Sequence, residues 1–177
     1  EKLLKLKEET ERQKAEEAIE EAKEIVEEAE KITRETGSAP GHVEEAMRQV
    51  KELTGREYHL FDYYGVEDAE HVVVVMGSAA GALREAVDYI NARGGKVGLV
   101  IVRLYRPFSA DHFVGALLKT VKRIAVLDRT KEAGSLGEPL YLDVRTAIGE
   151  VMAGGLAPFG EYPLIVGGRY GLGSKEF

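Results

Sequence analysis

HVVVVMGSAAGALREAVDYINARGGKVGLVIVRL, residues 71–104, sets the architecture. His71–Met76 is a run of β-branched residues with no polar alternation, the pattern of a strand covered on both faces. Gly77-Ser78 turns the chain, and Ser78 stands where a helix N-cap is wanted. Leu83, Val87 and Ile90 then recur at helical spacing as a buried stripe, and Gly94-Gly95 ends the helix. Lys96–Leu104 is a second apolar strand. A strand, a helix and a strand in this order form a βαβ unit with a right-handed crossover.

The unit repeats toward the C-terminus. Ser109 caps a helix bearing Phe113, Leu117 and Val121, Arg123–Asp128 (RIAVLD) is a third buried strand, and Pro139 takes the first position of a helix with Leu140, Val144, Ile148 and Val151 inward. Pro163–Val166 closes the series, and Tyr58–Tyr64 adds a short edge strand. The expected fold class is α/β: three α/β/α layers around a mostly parallel sheet of about four or five strands, preceded by a long N-terminal helix.

Residues 1–36 have a different composition. They hold 13 Glu against 8 Lys and Arg, most of the chain's net charge of −7, and no Gly, Pro, Asn, Asp or aromatic residue. Ala15, Ala18, Ile19, Ala22, Ile25, Val26, Ala29 and Ile32 form one helical stripe, a packing seam toward the chain's own domain or a partner. Glu8–Arg12, Glu27–Lys31 and Glu30–Arg34 pair at i,i+4 in the favourable order. Gly37 is a suitable C-cap, Ser38-Ala39-Pro40 cannot continue the helix, and a second helix follows from His42 to Thr54, with Val43, Met47, Val50 and Leu53 on one side. Such idealised composition is typical of designed helices, so an engineered segment is expected, against the alternative of a natural amphipathic helix. The domains are then 1–36, a connecting loop and helix at 37–57, and an α/β domain at 58–177.

Composition also excludes functions. The 177 residues include no Cys, which removes disulfides, thiolate zinc sites and cysteine-bound clusters. The negative balance argues against nucleic acid, no apolar run approaches a membrane span, and a cytoplasmic setting follows. His42, His59, His71 and His112 stand singly, outside any metal-binding frame. His71 reads as a structural histidine, and His59 and Asp62 as a possible pair.

In open α/β sheets ligands gather at the C-terminal ends of the strands. The loops there carry Ser78, Tyr105, Arg106, Asp128, Arg129, Lys131, Glu132 and Arg169, suited to an anion or a partner's surface. GSAAG lacks dinucleotide-fingerprint spacing, and no nucleophile elbow is present. Gly168 and Gly173 have Walker A separation, but Ser174-Lys175 inverts the Lys-Ser order and leaves no room for the helix that a phosphate loop needs. Asp128 with Arg129 and Lys131 is the best polar cluster, read first as a salt-bridged loop anchor. No catalytic residue, cofactor or metal is expected.

GREYHLFDYYG (55–65), VRLYRPFSADHF (102–113), KRIAVLDRTKEAGSLGEPLYLDV (122–144) and GGRYGLGSKEF (167–177) resemble, in order and spacing, a segment of the pyruvate:ferredoxin (flavodoxin) oxidoreductase family. The resemblance covers about residues 44–177 and departs from the family pattern at Ala133 and Gly173, where Pro and Ser are expected. The family enzyme decarboxylates pyruvate with thiamine diphosphate, reduces ferredoxin through iron–sulfur clusters and makes acetyl-CoA. The matched segment looks like its second domain, similar to the transketolase C-terminal domain, which packs on the thiamine-binding domains; thiamine and cluster ligands lie elsewhere. The resemblance implies an excised or redesigned domain, non-catalytic alone, that serves as a scaffold or interaction unit. The alternatives are a natural non-catalytic subunit or domain of such an oxidoreductase, and a free-standing ligand-binding domain. Partners expected are proteins or a second copy, reached through the N-terminal helix or exposed domain surface.

Overall fold

The structure, a computed structural model, describes residue 13 and residues 39–173. The chain divides into two units, Glu1–Gly41 and His42–Phe177, and the described residues fall almost wholly in the second. The expected N-terminal helix, its Ala15–Ile32 seam and Ser174-Lys175 lie outside the described residues.

In the second unit, residues 42–54 are helical (α1). The further elements are β1 (Phe61–Gly65), β2 (His71–Met76), α2 (Ala79–Asn91), β3 (Val97–Val102), α3 (Ala110–Gly115), β4 (Arg123–Asp128), α4 (Pro139–Ala153) and β5 (Leu164–Arg169). The sheet order is β1-β3-β2-β4-β5, parallel except for β1, which runs antiparallel to β3. The expected α/β fold with a mostly parallel sheet of five strands is therefore present.

Alternation along each strand divides the core. Val72, Val74, Val100, Val102, Ile124, Val126 and Ile165 face α3 and α4, where Phe113, Leu140, Val144 and Ile148 close the larger core. Val75, Leu99 and Ile101 face α2 and Val87. Gly98 lets β1 sit close to β3: a Cβ there would lie 2.4 Å from the Tyr63 hydroxyl, which is itself bonded to Val66 O at 2.6 Å. Any side chain at this position displaces a ring that the fold holds in place.

Several local expectations change. The second helix begins ahead of the expected His42, with Ala39 and Pro40 already helical, since proline's fixed φ suits the first turn of a helix. In α1, Val43 and Met47 pack on the core, but Val50 and Leu53 are exposed. Ile90 is exposed too, because α2 reaches the sheet mainly through Val87. Ser78 and Ser109 occupy the N-cap positions of α2 and α3, yet neither side chain caps; Ser109 Oγ instead meets His112 Nδ1 at 2.6 Å. The helix α3 stops at Gly115, so Leu117 and Val121 are buried from the turn beyond it. β5 runs on through Gly167 and Gly168 to Arg169, so two of the four glycines in GGRYGLG lie in the strand. The Tyr141 side chain lies against Gly167, and Leu127 Cδ2 occupies the space a Cβ on Gly168 would need, at 2.8 Å.

Candidate functional site

The expected site residues collect at the C-terminal end of the sheet, around the start of α4. Pro139 opens this helix, and β4 ends on Asp128 directly beneath it. Asp128 is 1% exposed; its Oδ1 accepts from Leu140 N–H at 3.0 Å and its Oδ2 from Tyr141 N–H at 3.1 Å. Each is an otherwise orphaned donor of the helix's first turn. Burial pushes the Asp128 carboxyl above its ordinary range, against the two amides that favour the charged form. The bonds that Asp128 makes here run to backbone amides of α4 and tie the end of β4 to the start of that helix.

Glu138, just ahead of Pro139, forms the second knot. Its Oε2 accepts from Glu132 N–H at 2.7 Å, and Oε1 pairs with the Arg169 guanidinium at the end of β5. The Glu132 amide, then Arg169 and more distantly Lys131, hold this carboxyl below its ordinary range. The loop 129–137 is thus closed at both ends by buried carboxylates. A group whose pKa is lowered on folding contributes stability above its unfolded pKa and loses it as pH falls through the folded value. Glu138→Gln should therefore lower the melting temperature at neutral pH, and the gap from the parent should close with acidification. An unchanging gap in melts across the acid range would refute the assignment.

Tyr105 and Arg106 make a third group. Arg106 stacks on the Tyr105 ring, with Cζ 3.9 Å from its centroid, and Nη1 lies 2.8 Å from Asp143 Oδ2 on α4. Burial first, then Asp143, pushes the Tyr105 hydroxyl up to about 12. The peptide between Arg106 and Pro107 is cis.

Tyr170, just past β5, reaches back over the sheet. Its amide donates to Asp128 O at 3.1 Å and its hydroxyl to Met76 O at 3.0 Å. It lies across the topological switch point between β2 and β4, the position where doubly wound sheets take ligands.

The structure thus joins Asp128, Lys131, Glu132 and Arg169 around the α4 start, and Tyr105 with Arg106 at Asp143. Ser78, after the end of β2, and Arg129, next to Asp128 in the chain, are both exposed. The expected His59–Asp62 side-chain pair is replaced: Asp62 accepts from the His59 backbone amide at 2.9 Å and from Arg103 Nε at 2.8 Å. Glu138, Asp143 and Tyr170 belong to the site although sequence reasoning omitted them. The signal for Glu138 was its place before a helix-opening proline. Beside this network is an open cleft of about 430 Å³ floored by Gly167 and Gly168 and walled by Tyr141 and Leu136. Among the described residues no group of three or more His, Asp or Glu is disposed to hold a metal, and no helix is long and apolar enough to cross a membrane.

In this doubly wound α/β domain, Asp128, Glu138 and Arg169 at the strand ends hold the domain's own loops. Residues 69–159 match the family described as pyruvate:ferredoxin oxidoreductase core domain II, and the chain belongs to that family. It is 59% identical over 140 residues to the pyruvate:ferredoxin oxidoreductase of Moorella thermoacetica, covering 79% of this chain and 11% of that protein. It is 54% identical over 140 residues to a putative pyruvate-flavodoxin oxidoreductase of Synechocystis, again 79% of this chain and 11% of the relative. The chain therefore spans about a ninth of the length of these relatives. A 2-oxoglutarate:ferredoxin oxidoreductase from Magnetococcus marinus aligns structurally with TM-score 0.40 and 19% identity, over 67% of this chain and 18% of that one.

Proposed function

We propose that residues 42–177 are a natural, non-catalytic domain or subunit of a thiamine- and iron–sulfur-dependent 2-oxoacid:ferredoxin oxidoreductase, present to shape the assembly rather than to perform chemistry. The identity to such enzymes across this region supports a natural domain over a redesigned one; the design-like reading of residues 1–36 draws no support from these relatives. The observation that carries the non-catalytic reading is the use of the strand-end groups. Asp128 and Glu138 are committed to amides and Arg169, Arg106 to Tyr105 and Asp143, and Tyr170 lies over the switch point. With no Cys in the sequence, no thiolate is available to hold a cluster in this chain.

Grafting tests the reading. Residues 44–173 should replace the corresponding segment of the Moorella oxidoreductase with pyruvate oxidation retained, while the isolated chain neither oxidises pyruvate nor gains thermal stability from thiamine diphosphate or CoA. A folded but inactive chimera would refute the domain assignment. A melting shift of the isolated chain with either cofactor would refute the non-catalytic one and favour a ligand-binding domain.

A further inference from the structure

Among the described residues β5 is the sheet edge opposite β1, with β4 as its one neighbour. Leu164 N–H donates to Lys122 O, so by strand alternation the backbone groups of Leu164, Val166 and Gly168 turn toward β4. Those of Ile165, Gly167 and Arg169 turn outward. On the α2 side the helix packs against β1, β2 and β3, and beyond it Leu164 and Val166 remain 60% and 50% exposed. An apolar edge, charged only at its terminal Arg169, with unused hydrogen-bonding groups is a template for another strand.

We propose that β5 pairs antiparallel with β5 of a second copy of the chain, about a two-fold axis through Val166. This occupant is chosen because the strand is complementary to itself. In that register Ile165 lies opposite Gly167, and both turn their amides outward, so they form the hydrogen-bonded pairs on either side of the axis. Val166 faces its own twin in a closer, non-hydrogen-bonded pair. Leu164 lies opposite Gly168, where it meets a flat surface lined by Leu127 instead of a competing side chain. Glu161 is diagonal to Arg169 at each end, which places opposite charges within reach across the seam. Pro163 has no N–H and stands at the end of this ladder; a register shifted to centre on Ile165 would bring it inside, where proline removes a bond. The surface is isologous, as a closed dimer requires. The inference rests on the strand's own chemistry and is independent of the family reading.

The test uses the full chain, whose lack of Cys makes any introduced thiol unique. Sedimentation velocity should show a dimer forming at micromolar concentration. Val166→Lys, which sets two ammonium groups face to face at the axis, should abolish it with the circular dichroism spectrum unchanged. Val166→Cys should form an intermolecular disulfide on mild oxidation, since directly opposed non-hydrogen-bonded positions have Cβ separations near those a disulfide spans. Leu53→Cys, at an exposed site on α1 outside the proposed seam, should not cross-link. A monomer at every concentration would mean that another polypeptide covers this edge in the family assembly. A dimer that survives Val166→Lys would mean association through another surface, and either result overturns the proposal. Should Val166→Lys fail to fold, the cross-linking contrast between the two thiol variants decides it.

Discussion

Replacing Asp128 with alanine is expected to destabilise the domain by about 2–4 kcal/mol, read from urea unfolding at neutral pH. The side chain makes two bonds in one place, to Leu140 N–H and Tyr141 N–H, and it is buried. Its removal strands both donors away from water and unties β4 from the helix that covers it. Asn is the informative comparison. Its amide oxygen can still accept one bond, but its NH₂ must face the other donor, so about 1–2 kcal/mol should be lost. The variants also differ in pH response. Because folding raises the Asp128 pKa, its contribution is fully present below the unfolded value and declines as pH rises through the folded one. This slope is opposite to that of Glu138, and it should vanish in both variants. Equal stability of the alanine variant and the parent would show that α4 holds its own N-terminus without the carboxylate.

Legibility in the sequence followed the range of the forces. β2 and β4 begin and end at the residues predicted: β2 holds four consecutive valines ahead of the Gly77-Ser78 turn, and β4 is a short apolar run between Arg123 and Asp128. The inward positions of α4, Leu140, Val144, Ile148 and Val151, are all buried as their spacing implies. β5 was misjudged because glycine is ordinarily a stop signal; here Gly167 and Gly168 stay in the strand because Tyr141 and Leu127 need their space. That is a tertiary fact with no local trace. The same holds for the site. Asp128 was visible as a polar residue ending a buried strand, but its partners were not, since backbone amides carry no residue identity. Glu138 and Arg169 are 31 positions apart and meet only because β5 pairs beside β4. Ser78 and Ser109 show the converse limit: the right residue at a helix start marks the boundary without making the cap.

Phe113→Ala should be the most damaging single change, at about 3–5 kcal/mol, enough to remove a large part of the stability of a domain this size. Phe113 is fully buried and meets Phe61 at 5.4 Å and Phe108 at 5.4 Å, while Phe61 and Phe108 meet at 5.3 Å. The edge-to-face contacts add to the area buried. The three rings tie together the start of β1, the loop before α3 and α3 itself. Loss of the ring should therefore be felt beyond its own cavity. Phe108 follows Pro107 in the loop that carries Tyr105 and Arg106, so the Arg106–Asp143 contact at 2.8 Å should loosen with it. Phe113→Leu keeps most of the volume and should cost less, about 1–2 kcal/mol. Two measurements separate the local loss from the transmitted one. Denaturant unfolding gives the stability of each variant, and amide exchange at residues 103–109 reports the loop. Faster exchange in the alanine variant with near-parent exchange in the leucine variant is the expected pair. Alanine-variant exchange confined to α3 would mean that the loop is held by Asp143 alone.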